Sequence, residues 1–138
     1  MQKLVLIADD DQDDGDLLFE AISNYSRDFR CLAFINAEKL LEYLDISIKK
    51  PDLIFLDFNM PCINGIECLK SLKADKRFTS IPVVICTTSK SPQDIEISYK
   101  EGASHFFTKP ATYSFWKSEV ANTFDSILKN NEEIIKCS

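Results

Sequence analysis

Histidine is scarce in this sequence, and the cysteines are not arranged for metal binding. There are one histidine and five cysteines, and no two cysteines form a CxxC pair. An odd number of scattered thiols beside a single histidine indicates neither a disulfide framework nor a zinc site. We therefore expect the cysteines to be reduced residues of the core or the surface.

Positive charge and long apolar runs are also in short supply. The 16 Lys and Arg residues are outnumbered by 22 Asp and Glu residues, which gives a net charge of −6 at pH 7. This balance disfavours direct binding to nucleic acid or to anionic membrane surfaces. The apolar run near the N-terminus, Leu4 to Ala8, is too short for a signal peptide core or a membrane span. We expect a cytoplasmic protein that does not insert into a membrane.

The chain has no recognisable linker, internal repeat or low-complexity segment. Its 138 residues, 45% of them hydrophobic, suit one domain with a sizeable core. We expect a single domain over residues 1–130 and a polar C-terminal tail over residues 131–138, frayed from Lys129 onward, with no output domain.

Short apolar runs alternate with segments of helical periodicity along the whole chain. Leu53 to Leu56 is apolar throughout, as in a strand buried on both faces. Five strand-and-helix alternations predict a parallel sheet with helices on both of its faces, the α/β class. The predicted strands are 4–8, 29–35, 53–56, 81–86 and 105–108, and the last two helices are predicted at 92–101 and from about 112.

Polar residues at the predicted helix starts suggest how the helices are capped. Asp13 or Asp14 is placed to cap the first helix and complement its dipole, and Asn36 to cap the second. The segment Ser91 to Asp94 has the pattern of a capping box with proline at the first helical position. Gly102 suits the C-terminal end of that helix.

Functional side chains follow four of the predicted strands. Asp9 and Asp10 follow the first strand, Asp57 the third, Thr87 the fourth and Lys109 the fifth. Because parallel strands share one carboxyl edge, these residues are expected to meet there. Close carboxylates repel by roughly 4 kcal/mol per pair at 4 Å in an effective dielectric of 20. A divalent cation would relieve that repulsion, and an all-oxygen site with few ligands suits Mg²⁺.

A lysine and a hydroxyl beside such a metal are the groups needed to bind a phosphoryl group, which a carboxylate can accept. This pattern predicts phosphoryl transfer onto Asp57. The acidic run also matches part of an EF-hand calcium loop, with Asp9, Asp11, Asp13 and Glu20 at ligand positions. Position 6 of that register is Asp14 rather than glycine, and a strand precedes the run, so the calcium interpretation is disfavoured.

The order and spacing of these motifs resemble the receiver domain of response regulators, the phospho-accepting module of two-component signalling. The resemblance lies in Asp9-Asp10, the block Leu56 to Pro61 with Gly65, Thr87, and Lys109-Pro110. It implies a flavodoxin-like (βα)5 three-layer sandwich with strand order 2-1-3-4-5.

The resemblance also implies roles for individual residues. Mg²⁺ is expected on Asp9 (through water), Asp10, Asp57 and the backbone carbonyl of Asn59. Thr87 and Lys109 are expected to contact the phosphoryl oxygens of phosphorylated Asp57.

The function implied is that of a signalling switch rather than an enzyme, although receivers assist their own phosphorylation and dephosphorylation. The phosphoryl donor is expected to be a phosphohistidine on a sensor histidine kinase or a histidine phosphotransfer protein. The phosphorylated chain is expected to bind a downstream protein partner or to pass the phosphoryl group along a relay.

Three positions depart from the usual receiver pattern. Thr88 stands where alanine or glycine is usual, Phe106 where tyrosine is usual, and Ala111 where phenylalanine is common. A switch that pairs Thr87 with Phe106 therefore cannot use a phenol hydroxyl, and we expect Phe106 to turn inward when Thr87 moves. The resemblance, together with the need to aim Lys109 back into the site, further implies a cis Lys109-Pro110 peptide bond. The trans preference before proline is only about 0.5–1 kcal/mol, so packing can hold the minor isomer.

Two other functions remain open from the sequence. One is a Mg²⁺-dependent phosphatase with a strand-end aspartate nucleophile, which would need a second acid where this chain has Asn59. The other is a pseudo-receiver that binds partners without phosphorylation, although no member of the constellation is missing.

Overall fold

A computed structural model describes residues 2–137 of the chain, with side chains as far as Ile127. The strands are β1 (Lys3–Ala8), β2 (Phe29–Phe34), β3 (Leu53–Asp57), β4 (Val83–Thr87) and β5 (His105–Thr108). The helices are α1 (Gln12–Tyr25), α2 (Ala37–Ile46), α3 (Gly65–Ala74), α4 (Pro92–Lys100) and α5 (Tyr113–Cys137).

The five strands form one parallel sheet in the order β2-β1-β3-β4-β5. This confirms the α/β class and the strand order expected from the resemblance. β3 lies at the centre, and each of its residues is buried, which explains why this strand is apolar until its last position. Asp57 is that last position.

Alternate residues of the central strands pack into two separate cores. Ile54 and Leu56 of β3 face α2 and α3, whereas Leu53 and Phe55 face α1 and α5. This twofold alternation is the geometry of an extended strand. The result is a three-layer sandwich, and the core on the α1 and α5 side is rich in aromatic rings. That core includes Phe55, Phe107, Trp116 and Phe124.

Two predicted helix caps were wrong. The N-cap of α1 is Asp11, whose extended backbone lets its carboxylate accept a hydrogen bond from Asp14 N at 3.2 Å. Asp13 and Asp14 instead lie in the first turn, where they complement the helix dipole as expected. This first turn also removes the calcium interpretation, because the acids after Asp11 belong to a helix rather than to a loop.

The predicted capping box of α4 is absent, because both of its partners bond elsewhere. Ser91 Oγ donates to Gln93 Oε1 at 2.7 Å, and the Asp94 carboxylate accepts from Ser89 Oγ at 2.5 Å. Pro92 is nevertheless at the start of the helix. A complete capping box forms at α3 instead, between Asn64 and Glu67.

The other caps are as predicted. Asn36 caps α2 by accepting from Lys39 N at 2.9 Å, and Gly102 follows α4 with a φ of 109°. The predicted frayed tail from Lys129 onward falls on residues whose side chains lie outside the described part of the chain. The backbone of α5 extends to Cys137.

Two further features bear on the expectations above. Within residues 2–137, none of the helices combines the length and hydrophobicity that a bilayer span requires. The four cysteines whose side chains are described, Cys31, Cys62, Cys68 and Cys86, are all free thiols.

Candidate functional site

The carboxyl edge of the sheet brings the predicted acids together. Asp9 follows β1, and Asp57 ends the neighbouring strand β3; they are 5% and 4% exposed. Asp10 is exposed beside them. Carboxylate oxygens of these three residues lie within 4.8 Å of one another. The sequence prediction of a three-carboxylate cluster at this edge therefore matches the geometry.

Lys109 enters the same cluster from the end of β5. Its Nζ lies 2.9 Å from Asp9 Oδ2, 2.9 Å from Asp14 Oδ2 and 3.5 Å from Asp57 Oδ1. The lysine side chain is only 6% exposed, so its charge is compensated by carboxylates rather than by water. One buried ammonium thus lies close to three carboxylates.

The Lys109-Pro110 peptide bond is trans, which corrects the predicted cis bond. Trans is the favoured isomer before proline. Lys109 reaches the site because its backbone N–H donates to Thr87 O at 2.7 Å and its long side chain spans the remaining distance to the acids.

The crowded carboxylates have perturbed protonation. Burial, together with the neighbouring charge of Asp9, raises the pKa of Asp57 to about 7, although Lys109 opposes this rise. Burial also raises the pKa of Asp9. For Lys109, burial alone would lower the pKa, but its contacts with Asp9 and Asp14 raise it above the usual value. The lysine is therefore charged at neutral pH, whereas the raised pKa makes the Asp57 carboxylate easier to protonate than an exposed aspartate.

The acids have the chemistry of a divalent cation site. Asp9 Oδ2 is buried, and no hydrogen-bond donor is aligned on it, although the Lys109 ammonium lies close by. A buried oxygen without an aligned donor, beside two further carboxylates, is a set of hard oxygen ligands that fits Mg²⁺ or a similar ion.

Thr87 is fully buried at the end of β4, with its hydroxyl oxygen already engaged. Thr87 Oγ1 accepts from Asn59 Nδ2 and from Ser89 N, each at 3.2 Å. The backbone N–H of Asn59 in turn points toward Asp57 Oδ1, at 3.4 Å. Thr87 is thus linked to the Asp57 carboxylate through Asn59.

Ser89 extends this set of contacts away from the acids. Ser89 O accepts from Thr108 Oγ1 of β5 at 3.3 Å, and Ser89 Oγ donates to Asp94 of α4. A change in the position of Thr87 therefore bears directly on a residue that contacts both α4 and β5.

Phe106 lies on β5 as predicted, but its side chain is only 9% exposed and packs in the core on the α2 and α3 side. The Phe106 side chain thus already points inward, so the inward turn expected on switching would be only a small movement. Thr88 is exposed, as is Ala111, so neither departure from the receiver pattern alters the buried part of the site.

Sequence reasoning missed two contacts. Asp14 was assigned to helix capping, yet it pairs with Lys109; its position four residues before buried Leu18 placed it on the inward side of α1. The Asn59 side chain was not assigned a role, although an amide two residues after Asp57 is within reach of the same edge.

Comparison with known proteins defines the class. The family model described as the response regulator receiver domain matches residues 5–119. The chain therefore belongs to the response regulator receiver family, and its role as a phosphoacceptor module in two-component signalling follows from that membership.

Relatives and solved structures agree with this class. Stress response regulator protein 1 of Candida tropicalis is 36% identical over 84 residues, which cover 60% of this chain and 31% of that protein. The chain thus spans less than a third of the length of that relative. A chemotaxis protein CheY homolog of Campylobacter jejuni is 28% identical over 88 residues, covering 62% of this chain and 68% of the homolog.

The phosphorylated cyanobacterial phytochrome response regulator RcpA superposes with a TM-score of 0.83 at 28% identity, covering 91% of this chain and 93% of RcpA. The Mn²⁺-bound form of response regulator Rcp1 superposes with a TM-score of 0.79 at 25% identity, covering 89% and 92% of the two chains. These relatives are named as response regulators rather than as enzymes.

Proposed function

We propose that this receiver accepts a phosphoryl group on Asp57 in the presence of Mg²⁺ and thereby switches the binding of a protein partner or relays the group. The observation that carries the proposal is the convergence of Asp57 Oδ1 with Lys109 Nζ at 3.5 Å, inside a cluster of three carboxylates. Nucleophile, charge partner and cation ligands are the parts that phosphoryl transfer to a carboxylate requires.

The donor is a phosphohistidine on a sensor histidine kinase or a histidine phosphotransfer protein. A carboxylate oxygen of Asp57 attacks phosphorus as the P–N bond breaks, and the bonding pair stays on the imidazole nitrogen. Asp57 becomes an acyl phosphate, and no oxidant or reductant is involved.

The other residues orient this reaction and offset its charge. Asp9, Asp10 and Asp57, with the backbone carbonyl of Asn59, would hold Mg²⁺, which when bound supplies positive charge to the carboxylates and to the phosphoryl oxygens. Lys109 pairs with one phosphoryl oxygen, and the Thr87 hydroxyl donates to another. The protein acts as a switch in the cytoplasm, without direct contact to nucleic acid and without membrane insertion.

The phosphatase alternative is disfavoured by the residue two positions after Asp57. A general acid would be needed there, but Asn59 cannot release a proton, and its amide donates to Thr87. The pseudo-receiver alternative is disfavoured because acids, hydroxyl and lysine are all present and close together.

Uptake of a phosphoryl group tests the proposal. Purified protein is incubated with a small phosphodonor such as acetyl phosphate, with Mg²⁺ or with excess chelator, and intact mass is measured. We expect wild type to gain one phosphoryl group only with Mg²⁺, Asp57→Asn to gain none, and Asp16→Asn, a change of an exposed acid on α1, to behave as wild type. Labelling of Asp57→Asn, or undiminished labelling in chelator, would contradict the proposal.

The switch is proposed to start at Thr87. The phosphoryl group draws the Thr87 hydroxyl away from Asn59 and Ser89, and Ser89 then shifts its contacts with α4 and β5, while Phe106 adjusts against the vacated space. Amide chemical shifts recorded with and without beryllofluoride and Mg²⁺ test this. We expect larger changes in α4, β5 and the described part of α5 than in α1, and equal changes in α1 would rule the switch out.

A further inference from the structure

Asp14 has a contact that neither helix capping nor the carboxylate cluster explains. Its Oδ2 accepts from Lys109 Nζ at 2.9 Å, between residues 95 positions apart in sequence. The Asp14 side chain is 25% exposed, whereas that of Lys109 is 6% exposed. The ammonium therefore lies inside the site, and Asp14 reaches in from the rim to meet it.

The three carboxylates around Lys109 are not equivalent. Asp9 and Asp57 belong to the group whose oxygens lie within 4.8 Å of one another and could hold a cation. Asp14, in the first turn of α1, is outside that group. An ion at the cluster would compete with the lysine for the oxygens of Asp9 and Asp57, but not for those of Asp14.

Without another partner, the lysine would lose its anchors when the cation binds. An ammonium on a four-carbon stem has considerable rotamer freedom, and it would be repelled by the divalent charge beside it. A carboxylate beyond the cation's ligand set would keep the ammonium directed toward Asp57.

We propose that Asp14 is a positioning residue that keeps the Lys109 ammonium directed toward Asp57 when a divalent cation engages Asp9 and Asp57. The inference rests on the proposed function, since it assigns Asp14 a role in binding the phosphoryl group through Lys109. Asp14 itself touches neither the cation nor the phosphoryl group.

The first α1 turn offers a matched control. Asp13 is the neighbouring acid of the same turn, is exposed, and is not paired with Lys109 among the described contacts. Asp13→Asn and Asp14→Asn remove the same charge from the same helix terminus, so both weaken the interaction with the helix dipole. Only Asp14→Asn removes the ion pair with Lys109. Asp14→Glu keeps the charge and tests rescue.

Isothermal titration calorimetry measures the affinity of wild type and the three variants for Mg²⁺ alone, and then their affinity for beryllofluoride in saturating Mg²⁺. We expect beryllofluoride to bind Asp14→Asn about tenfold more weakly than Asp13→Asn, the size of one charge-assisted hydrogen bond. The affinity for Mg²⁺ alone should be the same in the two amide variants, and Asp14→Glu should recover most of the loss.

A second readout uses the metal-free protein. The Lys109 ammonium, held by carboxylates and 6% exposed, should give a ¹H–¹⁵N signal in slow exchange with water. That signal should be weaker in Asp14→Asn than in Asp13→Asn, and addition of Mg²⁺, which would engage Asp9 and Asp57, should widen the difference. If Asp14→Asn does not fold, Asp14→Ser takes its place in both measurements.

The outcomes separate this inference from the proposed function. Equal beryllofluoride affinities in Asp14→Asn and Asp13→Asn, with wild type binding normally, would overturn the role of Asp14 and leave the proposed function standing. Equal losses of Mg²⁺ and beryllofluoride affinity in Asp14→Asn alone would overturn it too, because the effect would then concern the cation. A wild-type protein that binds no beryllofluoride overturns the proposed function and this inference with it.

Discussion

The body of the central strand and its carboxyl end are equally buried, but they have opposite energetic effects. Leu53 to Leu56 of β3 are at most 3% exposed, and Asp57, the next residue, is 4% exposed. Burying an apolar side chain stabilises the fold by about 1.5–3 kcal/mol. Burying a carboxylate near other carboxylates costs free energy, and here it raises the pKa of Asp57. The apolar layers therefore stabilise an edge that would not form by itself.

This comparison separates residues that maintain the fold from residues that maintain the site. Changes in the apolar layers should lower the free energy of unfolding and leave the chemistry intact while the protein is folded. Changes at the carboxyl edge should impair the chemistry without lowering the free energy of unfolding. Single substitutions in each region should therefore separate stability from chemistry.

The largest loss is expected for Trp116→Ala. Trp116 is 1% exposed and meets the Phe107 ring edge-on at a centroid distance of 6.0 Å. Removing the indole should lower the free energy of unfolding by about 3–5 kcal/mol, measured by urea denaturation. Phosphoryl uptake below the unfolding transition should persist. Phe115→Ala is the control, because Phe115 is 62% exposed and should change stability little; a similar loss there would contradict the assignment of the core.

Gly65→Ala should change both stability and chemistry, because Gly65 contacts the backbone that carries Asp57. A Cβ at Gly65 would collide with the backbone of Asp57, with Asp57 O and Asp57 C, and with the Phe58 Cα at 2.9 Å. The backbone that carries Asp57 must shift, so we expect a loss of about 1–3 kcal/mol together with slower phosphoryl uptake.

Gly15→Ala is the matched control for that substitution. Gly15 lies inside α1, and nothing lies within 4 Å of a Cβ placed there. Alanine should stabilise the protein by about 0.5–1 kcal/mol through its helix propensity. Destabilisation by both alanines, measured in the same denaturant series, would show that the close approach at Gly65 is not the cause.

A small effect is also expected at Cys62, in the loop that follows β3. Cys62 has a φ of 66°, a conformation that favours glycine over other residues. Cys62→Gly should stabilise the protein by about 1 kcal/mol, as judged by the midpoint of thermal unfolding. Cys62→Ser keeps the Cβ and removes the thiol, so it should give no gain. A gain with serine would assign the effect to the thiol instead.

The fold could be predicted because its main signals are local and repeated. Continuous apolar runs such as Leu53 to Leu56 marked buried strands, and their alternation with helices fixed the layer arrangement. The strand order followed from the family resemblance. The caps were harder to predict because neighbouring acids compete for one role: Asp11, Asp13 and Asp14 are chemically alike, and the backbone angles at Asp11 decided among them.

The site could be predicted to the level of its strand ends, but not to the level of its side-chain contacts. Parallel pairing brought Asp9, Asp57 and Lys109 to one edge from sequence alone. The contacts of Lys109 with Asp14 and of Asn59 with Thr87 depend on how long side chains turn within that edge, which no spacing rule gives. The isomer of the Lys109-Pro110 bond was wrong for a related reason, since the two isomers differ little in free energy before packing is known.

We infer that the buried Asp57 carboxylate is held at a cost to stability that a cation relieves. Burial and the neighbouring charge of Asp9 raise the pKa of Asp57 to about 7 in the folded chain, from an ordinary value of 3.8. Asp57 therefore binds more protons in the folded state than in the unfolded state between these values, and its contribution to the free energy of unfolding should fall as pH rises from about 4 to about 7.

Urea denaturation of wild type and Asp57→Asn at pH 4 to 8, with and without Mg²⁺, measures this claim directly. Without metal, Asp57→Asn should match wild type near pH 4 and become more stable by a few kcal/mol at pH 8, on the order of what a shift of this size gives. Saturating Mg²⁺ should stabilise wild type more than the variant, and so reduce the difference in their free energies of unfolding at pH 8. A variant no more stable than wild type at pH 8, or a gap that Mg²⁺ leaves unchanged, would contradict the account.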